Sequence, residues 1–215
     1  MLLALTVVTG MVDAVSILRL GRVFVANMTG NIVFIGFAVA GAPGFSLAAS
    51  ICALAGFLIG AAAAGRLVDR VRRRAAVFAM GTAIEAVLFA AATLIAIARH
   101  DDLAGPWADG IAGLLAAALG LQNGVVRRLA VPELTTTVLT MTLTGLVADA
   151  RSGPVVVRRI LAVAAMLGGA GLGTILVLHQ GVDVALTCVL ALAAGVSGCA
   201  ALAWRRGFAG DQSPG

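Results

Sequence analysis

Apolar residues fill the chain in eight stretches, 1–18, 23–41, 46–65, 75–98, 107–126, 134–148, 160–178 and 182–204, parted by short groups of Arg, Gly, Pro and Asp. A helix rising about 1.5 Å per residue needs about 20 such residues to cross hydrocarbon about 30 Å thick. Leu, Ala, Val and Ile follow one another without the period-two alternation of a membrane β-strand. The pattern predicts an all-α fold, a polytopic transmembrane helical bundle of six to eight segments. Stretch 134–148 would reach only about 22 Å as a helix, so it is expected to be re-entrant if it does not cross.

Polar residues break the apolar pattern at two places about 110 residues apart. The first holds Asp13, Asn27, Thr29 and Asn31; the second holds Gln122, Asn123, Thr136, Thr140 and Thr144. Placing Gly10 on Gly120 sets Asp13 against Asn123, and Gly56-x-x-x-Gly60 is answered by Gly169-x-x-x-Gly173. One register sets Thr29-Gly30-Asn31 against Thr140-Met141-Thr142; a longer insertion sets Thr29-Gly30 against Thr144-Gly145. Small-x-x-x-small pairs let helix backbones approach closely in lipid, where apolar burial does not drive association. The reading is two internal repeats, 1–98 and 107–204, of four segments each. An even number of crossings would leave both copies in the same orientation, related by an axis along the membrane normal.

Composition fixes the environment. The 215 residues are 61% hydrophobic and 12% charged, with mean hydropathy +1.07, against about 25% charge in soluble domains. The chain is thus expected to reside in a membrane, with lipid as its surroundings. All fifteen cationic residues are Arg, and they sit in short links between apolar stretches, as topology anchors do; that distribution argues against nucleic acid as a partner. If all eight stretches cross, the links carrying Arg19, Arg22, Arg127, Arg128 and the run Arg66–Arg74 fall on one side, expected to be cytoplasmic. If 134–148 does not cross, Arg151, Arg158, Arg159, Arg205 and Arg206 join the cytoplasmic side and satisfy the positive-inside rule better. Trp107 and Trp204 stand at segment ends, as interfacial aromatics do.

Other features narrow the chemistry. Residues 1–18 lack a basic start and a small-residue cleavage site and are expected to be a retained helix; 207–215 are expected to be a disordered tail. Cys52, Cys188 and Cys199 lie in apolar stretches at no metal-ligand spacing, so they read as packing residues. No G-x-S-x-G, H-E-x-x-H, P-loop or dinucleotide fingerprint occurs in its proper context. No cofactor, metal or enzymatic activity is expected.

Each polar residue at membrane depth has a bland and a sharp reading. Asp13 lies two to three turns from Arg19 and Arg22 and reads either as their ion-pair partner or as a proton- or ion-coupling carboxyl facing Gln122 and Asn123. Asn27 and Asn31, four residues apart, are expected to share a helical face, with Gly30 weakening the helix beside them. They read either as a ligand site or as inter-helix hydrogen bonds. Thr136, Thr140 and Thr144 repeat that spacing, but a Thr hydroxyl also bonds its own preceding turn. Glu85, near the middle of its stretch, must be neutral or paired in hydrocarbon, and proton coupling is its functional reading. His100 and His179 border segments and read as link residues.

The motifs Val8-Thr-Gly-Met-Val-Asp-Ala14, Val25-Ala-Asn-Met-Thr-Gly-Asn31, Leu121-Gln-Asn-Gly-Val-Val-Arg-Arg-Leu129 and Thr135-Thr-Thr-Val-Leu-Thr-Met-Thr142 together resemble the YoaK family of bacterial membrane proteins. The resemblance covers nearly the full chain and implies a polytopic inner-membrane protein; it supplies no activity. Gly65-x-x-x-Asp69-Arg70-x-Arg72-Arg73-Arg74 resembles in part the cytoplasmic loop of major-facilitator transporters, which implies that Asp69 bonds a neighbouring helix. The functional expectation is a small-solute or ion transporter. Its substrate would bind between the repeats at Asp13, Asn27, Thr29, Asn31, Gln122, Asn123, Thr136, Thr140 and Thr144, and Asp13 and Glu85 are candidates for proton coupling. The alternative is a membrane scaffold or assembly protein.

Overall fold

The structure, a computed structural model, describes residues 1–99, 103–129, 142–145 and 153–210. They form α1 (Leu2–Arg19), α2 (Met28–Val39), α3 (Leu47–Arg70), α4 (Arg74–Ala98), α5 (Pro106–Leu129), α6 (Gly153–His179) and α7 (Val182–Gly210). A further helical stretch covers 142–145. The fold is all-α, and six helices, all of the seven except α2, are long and apolar enough to cross a membrane. The expected segment 23–41 shortens to the 12 residues of α2, about 18 Å at helical rise. α7 runs through Gly210, into the stretch expected to be a disordered tail.

What meets at the helix ends fixes their directions. One cavity is lined together by Ile17 and Arg19 of α1, Ala96 of α4, Leu103 before α5, and Gln180 to Asp183 at the α6–α7 link. α1, α4 and α6 therefore end where α5 and α7 begin. α3 begins at that same end, because a Cβ on Gly21 would lie 2.9 Å from Ala49 Cβ. At the opposite end the start of α4 meets the end of α5, Gly81 against Val125. α1, α4 and α6 thus run one way, and α3, α5 and α7 the other.

These directions correct the expected orientation of the two halves. Four crossings per half would have made α1 and α5 parallel; they are antiparallel, because α2 is too short to cross and α1–α4 contain three crossings. The arginines sort accordingly. Arg66, Arg70, Arg72, Arg73, Arg74, Arg127, Arg128, Arg158, Arg159, Arg205 and Arg206 lie toward one end of the bundle, and Arg19, Arg22 and Arg99 toward the other. Among the described residues the division is eleven to three, far sharper than an eight-crossing reading allowed.

The strongest helix pairings are α3 on α5, α1 on α6, α4 on α7 and α4 on α5, followed by α1 on α7. Exchanging α1 with α5, α3 with α6 and α4 with α7 leaves that pattern unchanged. Burial follows the same exchange: α1 and α5 are each 61% buried, α3 and α6 28% and 22%, α4 and α7 39% and 33%. The outer helices α3 and α6 therefore face lipid and each lies against an inner helix running parallel to it.

Glycines set those two seams. A Cβ on Gly60 would collide with the Ala117 carbonyl of α5, and one on Gly169 with the Val7 carbonyl of α1. Gly120 meets the Phe57 carbonyl, and Gly10 meets the Met166 carbonyl. Gly124 lies against the Ala64 methyl, and Gly173 against the Ala14 methyl. Gly10 meets α6 as Gly120 meets α3, and packing sets Gly60 in the place of Gly169, one helical turn from the sequence register. Sequence spacing shows that small residues recur every fourth position and leaves open which turn they contact.

Gly60→Ala and Gly169→Ala each insert a methyl against backbone, which cannot rotate away, and should destabilise by about 1–3 kcal/mol. Gly168→Ala, where nothing lies within 4 Å, should be neutral. Thermal midpoints of the purified protein in detergent test this; equal midpoints for Gly169→Ala and Gly168→Ala would refute the seam.

Candidate functional site

Hydrocarbon tolerates unwound backbone only where the protein supplies its hydrogen bonds. Residues 20–27, between α1 and α2, are such a stretch. Leu20 ends α1, and Gly21 (φ 88°) and Arg22 (φ 58°) reverse the chain. Asp13 Oδ1 then accepts the N–H groups of Val25 at 3.0 Å and Ala26 at 3.2 Å. Asn31, fully buried, closes on the same segment from the other side: its Oδ1 accepts the Phe24 N–H at 2.9 Å and its Nδ2 donates to the Phe24 carbonyl at 2.6 Å. α2 is short because these two side chains hold the preceding residues out of helical conformation. Gly30 allows the arrangement, since a Cβ there would lie 2.6 Å from the Phe24 ring, which stacks on Phe34 with centroids 5.8 Å apart.

The structure thus brings together Asp13 and Asn31 and separates them from Asn27 and Thr29. Asn27 precedes α2 with φ −107° and ψ 84° and makes no capping bond through its side chain; it is exposed, as is Thr29. The expectation that Asn27 and Asn31 share a helical face fails because Asn27 lies outside the helix. Nor does Asp13 pair with Arg19 or Arg22 among the described residues; backbone N–H groups take that place.

A second polar contact lies one turn along α1. Gln122 Nε2 of α5 donates to Thr9 Oγ1 at 3.3 Å, and Thr9 donates to the Leu5 carbonyl at 2.9 Å. Thr6, Thr9, Asp13 and Ser16 are all buried and follow helical spacing, so α1 carries one continuous polar stripe. The sequence reading singled out Asp13 and missed the other three, although their spacing of three and four residues was the signal. Asn123 turns back on its own helix, donating to the Leu119 carbonyl at 2.8 Å. Thr144, in the 142–145 stretch, is exposed; Thr136 and Thr140 lie outside the described residues.

Glu85 sits eleven residues into α4 and is 1% exposed; its Oε1 has no hydrogen-bond partner among the described residues. Thr93, two turns on, bonds the Phe89 carbonyl at 2.7 Å and reaches the Leu186 carbonyl of α7 at 3.3 Å. Asp69 is exposed at the end of α3, so the inter-helix bond implied by the transporter-loop resemblance has no counterpart among the described residues.

The cavity over the ends of α1, α4 and α6 has a volume of about 510 Å³ and carries Arg19, Arg22 and Asp183. None of the described sequence-predicted site residues lines it. At the other end an apolar cluster of Ala64, Val77, Leu121 and Val125, flanked by Leu67, Val68, Val71 and Phe78, packs α3, α4 and α5 together. The cavity thus lies toward the arginine-poor end, and this apolar cluster toward the arginine-rich one.

Six crossing helices around a buried polar stripe define a multi-pass integral membrane protein. The chain belongs to the family described as "Protein of unknown function (DUF1275)", which matches residues 1–200. It is similar to the UPF0700 transmembrane protein YoaK of Bacillus subtilis (strain 168), 32% identical over 151 residues that make up 69% of this chain and 64% of that relative. The match therefore spans a little under two thirds of the relative's length. No solved structure matches. These findings bear out the YoaK resemblance that the polar motifs carried.

Asp13→Ala strands two buried N–H groups and should cost more than Asp13→Asn, which keeps an acceptor oxygen. Each unsatisfied group costs about 1–3 kcal/mol. Asn31→Ala, which strands an N–H and a carbonyl, should rank with Asp13→Ala. Thermal midpoints that place Asp13→Asn level with Asp13→Ala would contradict the anchoring role.

Proposed function

We propose that the protein is a transporter of a small neutral or zwitterionic solute or an ion, built from two inverted halves, α1–α4 and α5–α7 with the connection before α6. The observation that carries the reading is the mirrored packing: three crossings and a connecting segment in each half, running in opposite directions, with equivalent glycine seams. Inverted halves around a polar centre are the architecture on which alternating access operates. The cavity at the arginine-poor end, and the apolar cluster that packs α3, α4 and α5 toward the other, support a state with access from the arginine-poor side. In this reading the arginine-rich end is cytoplasmic, the membrane is the bacterial inner membrane, and the protein catalyses no covalent chemistry. Of the described sequence-predicted positions, Gln122, meeting Thr9 on the α1 stripe, is the one kept in the proposed path. Asp13 and Asn31 shape the path by holding α2, and Asn27 and Thr29 leave it.

One observation favours a scaffold instead. Asp13, Asn31 and Asn123 spend hydrogen bonds on the chain's own backbone, as purely structural polar groups do.

A thermal-shift screen of the purified protein against neutral solutes, amino acids and monovalent and divalent cations separates the two. At a hundredfold excess over Kd a ligand adds about 2.7 kcal/mol to native-state stability. The transporter reading expects a hit that Gln122→Ala abolishes while remaining folded. A folded protein indifferent to the whole library would favour the scaffold, and a hit untouched by Gln122→Ala would count against this site.

A further inference from the structure

The buried carboxyl of α4 has no structural task. Asp13 bonds backbone and Gln122 bonds Thr9, whereas Glu85 is 1% exposed and leaves Oε1 without a partner among the described residues. It lies on the stripe Gly81, Glu85, Phe89 and Thr93, all buried and spaced by four. At one end of that stripe Gly81 abuts Val125 of α5, a Cβ there lying 2.9 Å from it. At the other, Thr93 touches α7. Glu85 therefore stands midway along the seam that α4 makes with α5 and α7, about 16 Å from the start of its helix at 1.5 Å per residue.

No charge on the surrounding helices is placed to neutralise it. The ionisable residues of α5 are Asp109, Arg127 and Arg128; those of α7 are Asp183, Arg205 and Arg206 beside the thiols Cys188 and Cys199; those of α3 are Cys52, Arg66, Asp69 and Arg70. On α4 itself the other charge is Arg74. Every charged group among these lies in the outer turns of its helix. An ionised carboxylate in such a seam faces the full cost of desolvation, and a neutral one does not. Replacing Glu85 by any apolar residue of similar size would also pack there, so packing gives no reason for an acid.

We propose that Glu85 is a proton-carrying site: it holds a proton while the α4–α5–α7 seam is closed and releases it to water when the seam opens, so that solute movement is coupled to a proton. The step transfers one proton between the Glu85 carboxyl and bulk water and forms no other bond. The coupling rests on the transport reading above; the proton loading does not, and the two are tested apart.

Infrared spectroscopy of the protein in lipid vesicles at neutral pH reads the acid directly, using water and deuterium oxide as the probes. Wild type should show a protonated-carboxyl band that shifts in deuterium oxide. Glu85→Gln should lack it, and Asp13→Asn and Glu85→Asp should keep it. Absence of the band in wild type, or a band that never exchanges, overturns the proposal. Where the screen above yields a solute, its uptake into vesicles should respond to an imposed pH gradient in wild type and lose that response in Glu85→Gln. Uptake by Glu85→Gln with an unchanged response overturns coupling even if transport stands. A protein that binds no solute yet shows the exchanging band refutes transport and leaves the proton site intact.

Discussion

Two close backbone seams hold this bundle. Lipid is as apolar as the side chains it touches, so burial of Leu and Val does not press transmembrane helices together; contact distance and shape do. Gly60, Gly120 and Gly124 bring α3 against α5, and Gly169, Gly10 and Gly173 bring α6 against α1. Each seam joins an outer helix of one half to the inner helix of the other. Neither half can be pulled away without breaking both, and the central helices α1, α4, α5 and α7 are held between them.

That crosswise arrangement sets the place of everything polar. α1 presents Thr6, Thr9, Asp13 and Ser16 inward, Gln122 of α5 meets the stripe, and Asp13 and Asn31 hold the unwound link that makes α2 a short helix. With α2 confined to one side, α1–α4 contain three crossings, and α5 begins at the end where α1 finishes and runs antiparallel to it. The cavity sits at the arginine-poor end and the apolar cluster of α3, α4 and α5 toward the other; the transport proposed above would require these two ends to exchange roles.

Much of this was legible in the residues. Composition and unalternated apolar runs specify a helical membrane protein, and the polar motifs specify the family, because both depend on local order alone. The recurrence of small residues every fourth position was legible, but the turn that Gly169 contacts was not, since a period of four fits every turn equally. The segment 23–41 reads as a full crossing because hydropathy sees apolar side chains and not the hydrogen bonds by which Asp13 and Asn31 unwind residues 20–27. That one misjudged segment changed the number of crossings and hence the orientation of the second half. Asn27 was misplaced for the same reason, its helical face being inferred for a residue outside the helix. Thr9 was missed because its spacing with Thr6, Asp13 and Ser16 was not read as one stripe, and its partner Gln122 lies more than a hundred residues away.

The orientation of the halves is the central claim, and side-specific labelling tests it most directly. With Cys52, Cys188 and Cys199 replaced, single-cysteine Arg19→Cys and Arg72→Cys proteins are treated in right-side-out and inverted vesicles with a membrane-impermeant maleimide. The account predicts labelling from opposite sides, with Arg72→Cys reached only from the cytoplasmic face. Labelling of both from the same side would mean that the segment containing α2 crosses the membrane, and would contradict the inverted arrangement.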